Sequence, residues 1–190
     1  MNKFFFRLLI GMISLLMLII LAACDNNTES NKKDDKYSFQ KTNEKISEKQ
    51  MKSQIESYLD SNESLLKRIE KMEDQDIDQQ IETIDKVKKQ LEENNKNFEN
   101  LIKKNNIPES YGKSNKILNY FKQTNNLLED LKNNLSDLVH KKDYSSYKDI
   151  IKLSYKYNEK LNGYYESELK QFIKEKGIDS SLFEQKLFNK

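Results

Sequence analysis

Residues 113–141 read KSNKILNYFKQTNNLLEDLKNNLSDLVHK, and this stretch decides the fold class. Ile117, Phe121, Thr124, Leu128, Leu131, Leu135 and Leu138 follow one another at alternating spacings of four and three. That alternation keeps one side of an α-helix apolar and is the heptad seam of packed helices. Strands would need a period of two, which is absent.

Working outward, three more segments carry helical periodicity. The first runs about 43–73, with Met51, Ile55, Tyr58, Leu59, Leu65, Leu66, Ile69 and Met72 on one face. The second runs about 77–105, with Ile77, Ile81, Ile84, Leu91, Phe98 and Ile102. Ile107-Pro108 then breaks the chain, because proline disfavours helix in the residue before it. The fourth runs about 145–176 and stops at Gly177, a residue suited to the left-handed position after a helix. Ser181-x-x-Glu184 resembles a capping box and predicts a short fifth helix over about 182–188. Long helices joined by short links favour antiparallel neighbours. The expected fold is therefore all-α: an up-down-up-down four-helix bundle over residues 42–190 with a short C-terminal helix. The narrow apolar stripe also suits a second arrangement, an extended helical hairpin or coiled coil.

The N-terminus is of another kind. Lys3 and Arg7 give a positive start, and from Leu8 to Leu21 every residue except Ser14 is apolar or small. Asp25-Asn26-Asn27 end the run. This order is that of a secretory signal peptide, and its length also suits a membrane anchor. Either reading puts the remainder outside the cytoplasm. Leu21-Ala22-Ala23-Cys24 at the boundary resembles the lipobox of bacterial prolipoproteins. The resemblance covers residues 1–24 only. It implies a signal peptide over 1–23, with Leu21, Ala22 and Ala23 as the peptidase recognition residues. It also implies a diacylglycerol on the Cys24 thiol, which becomes the first residue after cleavage. Two acyl chains anchor stably where one does not. The expected location is the extracytoplasmic face of the cell membrane.

Charge agrees with an anchor made by lipid alone. The chain has 33 Lys+Arg and 31 Asp+Glu, and the surplus is Lys3 and Arg7. The part after the signal is neutral overall, unlike a nucleic-acid binder or a polybasic membrane segment. Cys24 is the single cysteine, so neither a disulfide framework nor a thiolate metal site is expected. Abundant Lys and Asn, with no Trp and one Pro, resembles the usage of AT-rich bacterial genomes. Residues 25–36, DNNTESNKKDDK, contain no apolar side chain. Such a segment cannot offset its ordering entropy by burial, so residues 24–41 are expected to be a disordered tether.

Motifs that suggest chemistry are weak. Asp74, Asp76, Asp78, Glu82 and Asp85 have something of the spacing of a calcium loop. Gln79 stands where that loop needs glycine, and a helix N-terminus explains the acids as well. Ser64-x-x-Lys67 and Ser145-x-x-Lys148 match S-x-x-K without the companion motifs of that enzyme class. His140 is the lone histidine and falls at a helix C-terminus, which favours a cation. No catalytic residue, metal or cofactor is expected.

Two features bear on binding. On the fourth segment Tyr147, Tyr157 and Tyr165 fall with Ile150, Ile151 and Leu161, whereas Tyr144, Tyr155 and Ile173 drift to the edge of that face. Partly exposed side chains of this kind suit a recognition surface. The seams also hold Asn62, Lys88, Asn95, Thr124, Ser154 and Asn158. An antiparallel register puts Asn62 level with Lys88 and near Asn158, and Asn95 level with Thr124. Such layers either fix register or line a small-ligand site. The function expected is a membrane-tethered module that binds an envelope protein or wall component. A small-ligand carrier or sensor is the alternative, and no nucleic-acid partner is expected.

Overall fold

The structure is a computed structural model that describes residues 35–39, 45–104, 106–140, 148–149, 152 and 164–180. Among these residues all regular structure is helical. Helix α1 spans Glu48–Glu70 and runs into a 3-10 turn over Lys71–Asp74. Helix α2 spans Ile77–Lys104, and a 3-10 turn at Glu109–Tyr111 leads to α3, Ser114–His140. Helix α4 spans Tyr164–Glu175. The fifth helix expected over 182–188 and most of the fourth segment lie outside the described residues.

Local chemistry sets the ends. Ser47 and Gln50 form a reciprocal capping box at α1, each side chain accepting the other's backbone N–H. Asp76 caps α2 by accepting the Gln79 N–H at 2.9 Å. Helix α4 ends in a Schellman motif. Ile178 N–H donates to the Ile173 carbonyl and Gly177 N–H to that of Lys174. Gly177 takes φ +56°, where a side chain would be strained.

The core is built from seams. Every expected apolar residue of the first segment, and all seven seam residues of α3, are buried. Through α1 and into the 3-10 turn, Met51, Ile55, Tyr58, Asn62, Leu65, Ile69 and Met72 form a continuous heptad seam, with Asn62 as its polar member. Helix α2 differs from expectation. Ile77, Ile81 and Ile102 are only partly buried. Its seam is Gln80, Ile84, Val87, Leu91, Asn94, Phe98 and Leu101, again at alternating four and three. Two amides in that seam disguise it in the sequence, so the apolar face read there is rotated from the true one.

Helices α2 and α3 run antiparallel, as their cross-helix pairs show. Glu99 bonds Lys122 at 2.9 Å, Glu92 bonds Asn125 at 3.0 Å, Lys88 bonds Glu129 at 2.8 Å and Asp85 bonds Lys132 at 3.2 Å. Residue numbers fall on one helix as they rise on the other. This register places Asn95 near the level of Thr124, as expected.

The expected tether boundary needs correction. Asp35–Phe39 belongs to the folded body: Tyr37 is 1% exposed and part of the hydrophobic core. Tyr37 and Phe39 in an otherwise polar run give little local sign of this, because what buries Tyr37 comes from α1 and α2.

A candidate functional site: the strap groove

The Asp35–Phe39 strap bends at Asp35 and is neither helix nor strand, so its backbone polar groups need partners. Side chains of α2 supply them. The Asn94 carboxamide accepts the Tyr37 N–H at 2.9 Å and donates to the Asp35 carbonyl at 3.0 Å. Asn97 donates to the Tyr37 carbonyl at 2.9 Å. One asparagine thus bridges the carbonyl of one strap residue and the N–H two residues on, as a neighbouring strand would.

Asn94 has a second task. Its Nδ2 also donates to Asn62 Oδ1 at 2.9 Å, and its Oδ1 also accepts from Gln90 Nε2 at 3.3 Å. Both protons and both lone pairs of the carboxamide are in use. Burying it costs little only because it is so fully bonded.

The Tyr37 ring enters an aromatic cluster. It meets Tyr58 edge-on at 5.4 Å between centroids and Phe98 at 6.1 Å. Tyr58 and Phe98 stack at 4.1 Å with a 5° tilt, and Phe121 of α3 meets Tyr58 edge-on at 5.3 Å. Such pairs are each worth about 0.5–1.5 kcal/mol beyond their burial. The Tyr37 hydroxyl donates to Gln54 Oε1 at 2.9 Å, and the Tyr58 hydroxyl donates to Asn95. Burial pushes both phenols well above their ordinary pKa. At the strap's outer end the Asp35 carboxylate takes Arg68 at 2.8 Å and the Ser64 hydroxyl.

The sequence-predicted residues are distributed as follows. Cys24, Leu21, Ala22 and Ala23 lie outside the described residues, as do Tyr144, Tyr155, Ser154 and Asn158. Ile173 is a correction. It is 7% exposed and packs in the core with Leu169 and Phe172. The expectation treated residues 145–176 as one helical phase. In α4 itself Leu169 and Ile173 are four apart and share the inward face.

Asn62 and Lys88 do not form the expected layer. Asn62 is level with Asn94, about 9 Å further along α2 at 1.5 Å per residue. Lys88 instead holds Glu129 and Glu92, and Glu129 raises its pKa. Thr124 turns back to the Tyr120 carbonyl at 3.1 Å.

The weaker motifs resolve into structure. Ser64 bonds Asp35 while Lys67 pairs with Glu63 at 2.7 Å, so the S-x-x-K residues serve different partners. Asp76 is a helix cap, and Asp85 pairs with Lys89 at 2.7 Å and with Lys132. His140 is exposed at the end of α3. Among the described residues no group of three His, Cys, Asp or Glu side chains is placed to hold a metal ion. No helix among them is long and apolar enough to cross a membrane. Comparison with protein-family models, with curated proteins and with solved structures finds no match.

Proposed function

We propose that this chain is a lipoprotein held at the extracytoplasmic face of the cell membrane through Cys24, with a non-catalytic helical body that binds a protein or wall component of the envelope. The observation that carries the reading is Leu21-Ala22-Ala23-Cys24 at the end of a basic-then-apolar leader, with Cys24 the single cysteine. The early start of the folded body adds a geometric consequence. Ten residues lie between Cys24 and Asp35, so the two are at most about 40 Å apart along the chain. The body therefore works close to the leaflet, within reach of other membrane-bound or inner-wall partners.

We infer further that the fourth segment completes an up-down-up-down four-helix bundle. Lys148, Asp149 and Lys152 are helical, and Lys116 near the start of α3 pairs with Glu168 in α4. That pairing suits an arm returning antiparallel to α3.

The test is metabolic labelling with a fatty-acid analogue in cells producing wild type or Cys24→Ala. Wild type takes up label and fractionates with membrane, while Cys24→Ala takes up none. An unlabelled wild-type chain overturns the reading.

A further inference from the structure

The chain is fixed to the body twice before α1 begins. The first fixing is the strap, far from the α1 N-terminus: Asp35 meets Ser64 and Arg68, and Tyr37 meets Asn94 and Asn97. The second is Ile46, which is buried and whose N–H donates to the Asn106 carbonyl at 3.3 Å. The strap's outer end faces water, the Arg68 and Asp35 side chains being 42% and 34% exposed. Such a pair contributes little and weakens with salt. Further in, water replaces the bonds from Asn94 and Asn97 once the Tyr37 ring leaves. Docking also costs the strap its conformational entropy, which opposes the burial of that ring. Helices α1 and α2 are joined independently of it. Tyr58 stacks on Phe98, the Tyr58 hydroxyl donates to Asn95, and Asn62 accepts from Asn94. These contacts stay in place when the strap lifts. A short segment laid on helices that hold one another opens at lower free energy than the whole fold.

We propose that the strap is a releasable latch that gives the membrane tether two lengths. The inference rests on the Cys24 anchor proposed above. Docked, the strap leaves ten residues between Cys24 and the body, a reach of at most about 40 Å. Released, the next fixing is Ile46, with 21 residues between and a reach of at most about 80 Å. The pull of the anchor enters at Asp35, the water-facing end, so it peels the latch from outside inward. A partner held away from the leaflet favours the released state, and one at the leaflet favours the docked state.

The test is native-state hydrogen exchange, followed by NMR on the full chain purified from cell membranes in detergent. The Tyr37 amide exchanges at least roughly tenfold faster than the Leu91 and Phe98 amides of α2, and with a weaker dependence on added urea. Equal rates with equal urea dependence mean that strap and helices open together, and overturn the latch. Tyr37→Ala supplies the released state. Its helical circular dichroism matches wild type, and loss of the helices overturns the latch, since they then depend on the strap. Reach is read in phosphatidylcholine vesicles by energy transfer from a dye on Lys86→Cys, an exposed position of α2, to acceptor headgroups. Transfer is lower with Tyr37→Ala than with the intact strap, and equal transfer overturns the change in reach. A chain without acyl label overturns the anchor and with it the two tether lengths. An acylated chain with equal exchange rates overturns the latch alone.

Discussion

Asn94 and Tyr37 are joined by a backbone-to-side-chain hydrogen bond of 2.9 Å across 57 positions of sequence. The bond ties the segment nearest the proposed anchor to the middle of α2. It also comes from a carboxamide that holds α1 to α2 through Asn62. One side chain therefore sets both helix register and strap docking.

Replacing it tests that coupling. Asn94→Ala leaves the Tyr37 N–H, the Asp35 carbonyl and Asn62 Oδ1 without their partner. Each buried orphan costs about 1–3 kcal/mol, and water reaching the strap side reduces the total. A loss of about 3 kcal/mol in urea unfolding is expected. A loss below about 0.5 kcal/mol, as for an ordinary surface change, would contradict the role given to Asn94.

High pH attacks the same region from the aromatic side. Burial raises the pKa of Tyr37 and Tyr58, so the folded state favours their neutral phenols. Their contribution is complete below the unfolded phenol value near ~10 and falls as pH rises above it. Phenolate absorbance of the ten tyrosines should therefore rise in two steps, the second coinciding with loss of helical dichroism. A single smooth rise with the helices intact would refute the buried cluster.

Low pH acts on the α2–α3 ladder. Hydrogen bonds from Lys89 and Lys132 hold Asp85 below its ordinary pKa. Lys103 and Lys122 do the same for Glu99, and Lys88 for Glu129. Carboxyls depressed in the folded state stabilise it above their unfolded values and lose that contribution as pH falls through the folded ones. All three face water, so the effect is small and weakens with salt. Carboxyl carbon NMR should show Asp85, Glu99 and Glu129 each titrating below the ordinary value for its residue type. Midpoints at the ordinary aspartate and glutamate values would mean the ladder is absent in solution.

Gly177→Ala probes the end of α4. The added Cβ has room, its nearest contact being Lys52 Nζ at 3.9 Å, so the cost is the left-handed backbone itself. About 1 kcal/mol of stability should be lost. Gly112→Ala, exposed and at a negative φ but with its Cβ 3.3 Å from the Glu109 carbonyl oxygen, isolates the left-handed cost less cleanly and serves only as a comparison.

By itself the sequence determined the helical class, the break at Ile107-Pro108, the Gly177 terminus and the full apolar seams of α1 and α3. Those signals are local: periodicity, capping and backbone preference act within a few residues. It also carries the Cys24 motif, which is read from covalent order and needs no fold. What the tertiary structure alone decided is the groove. Asn94 and Gln80 look like solvent residues until a partner helix covers them. Tyr37 looks like linker until Asn94, Asn97 and two rings from other helices surround it. The physical reason is the same in each case. A polar or isolated side chain is worth burying only when distant groups satisfy it, and spacing along the chain does not record where those groups will be.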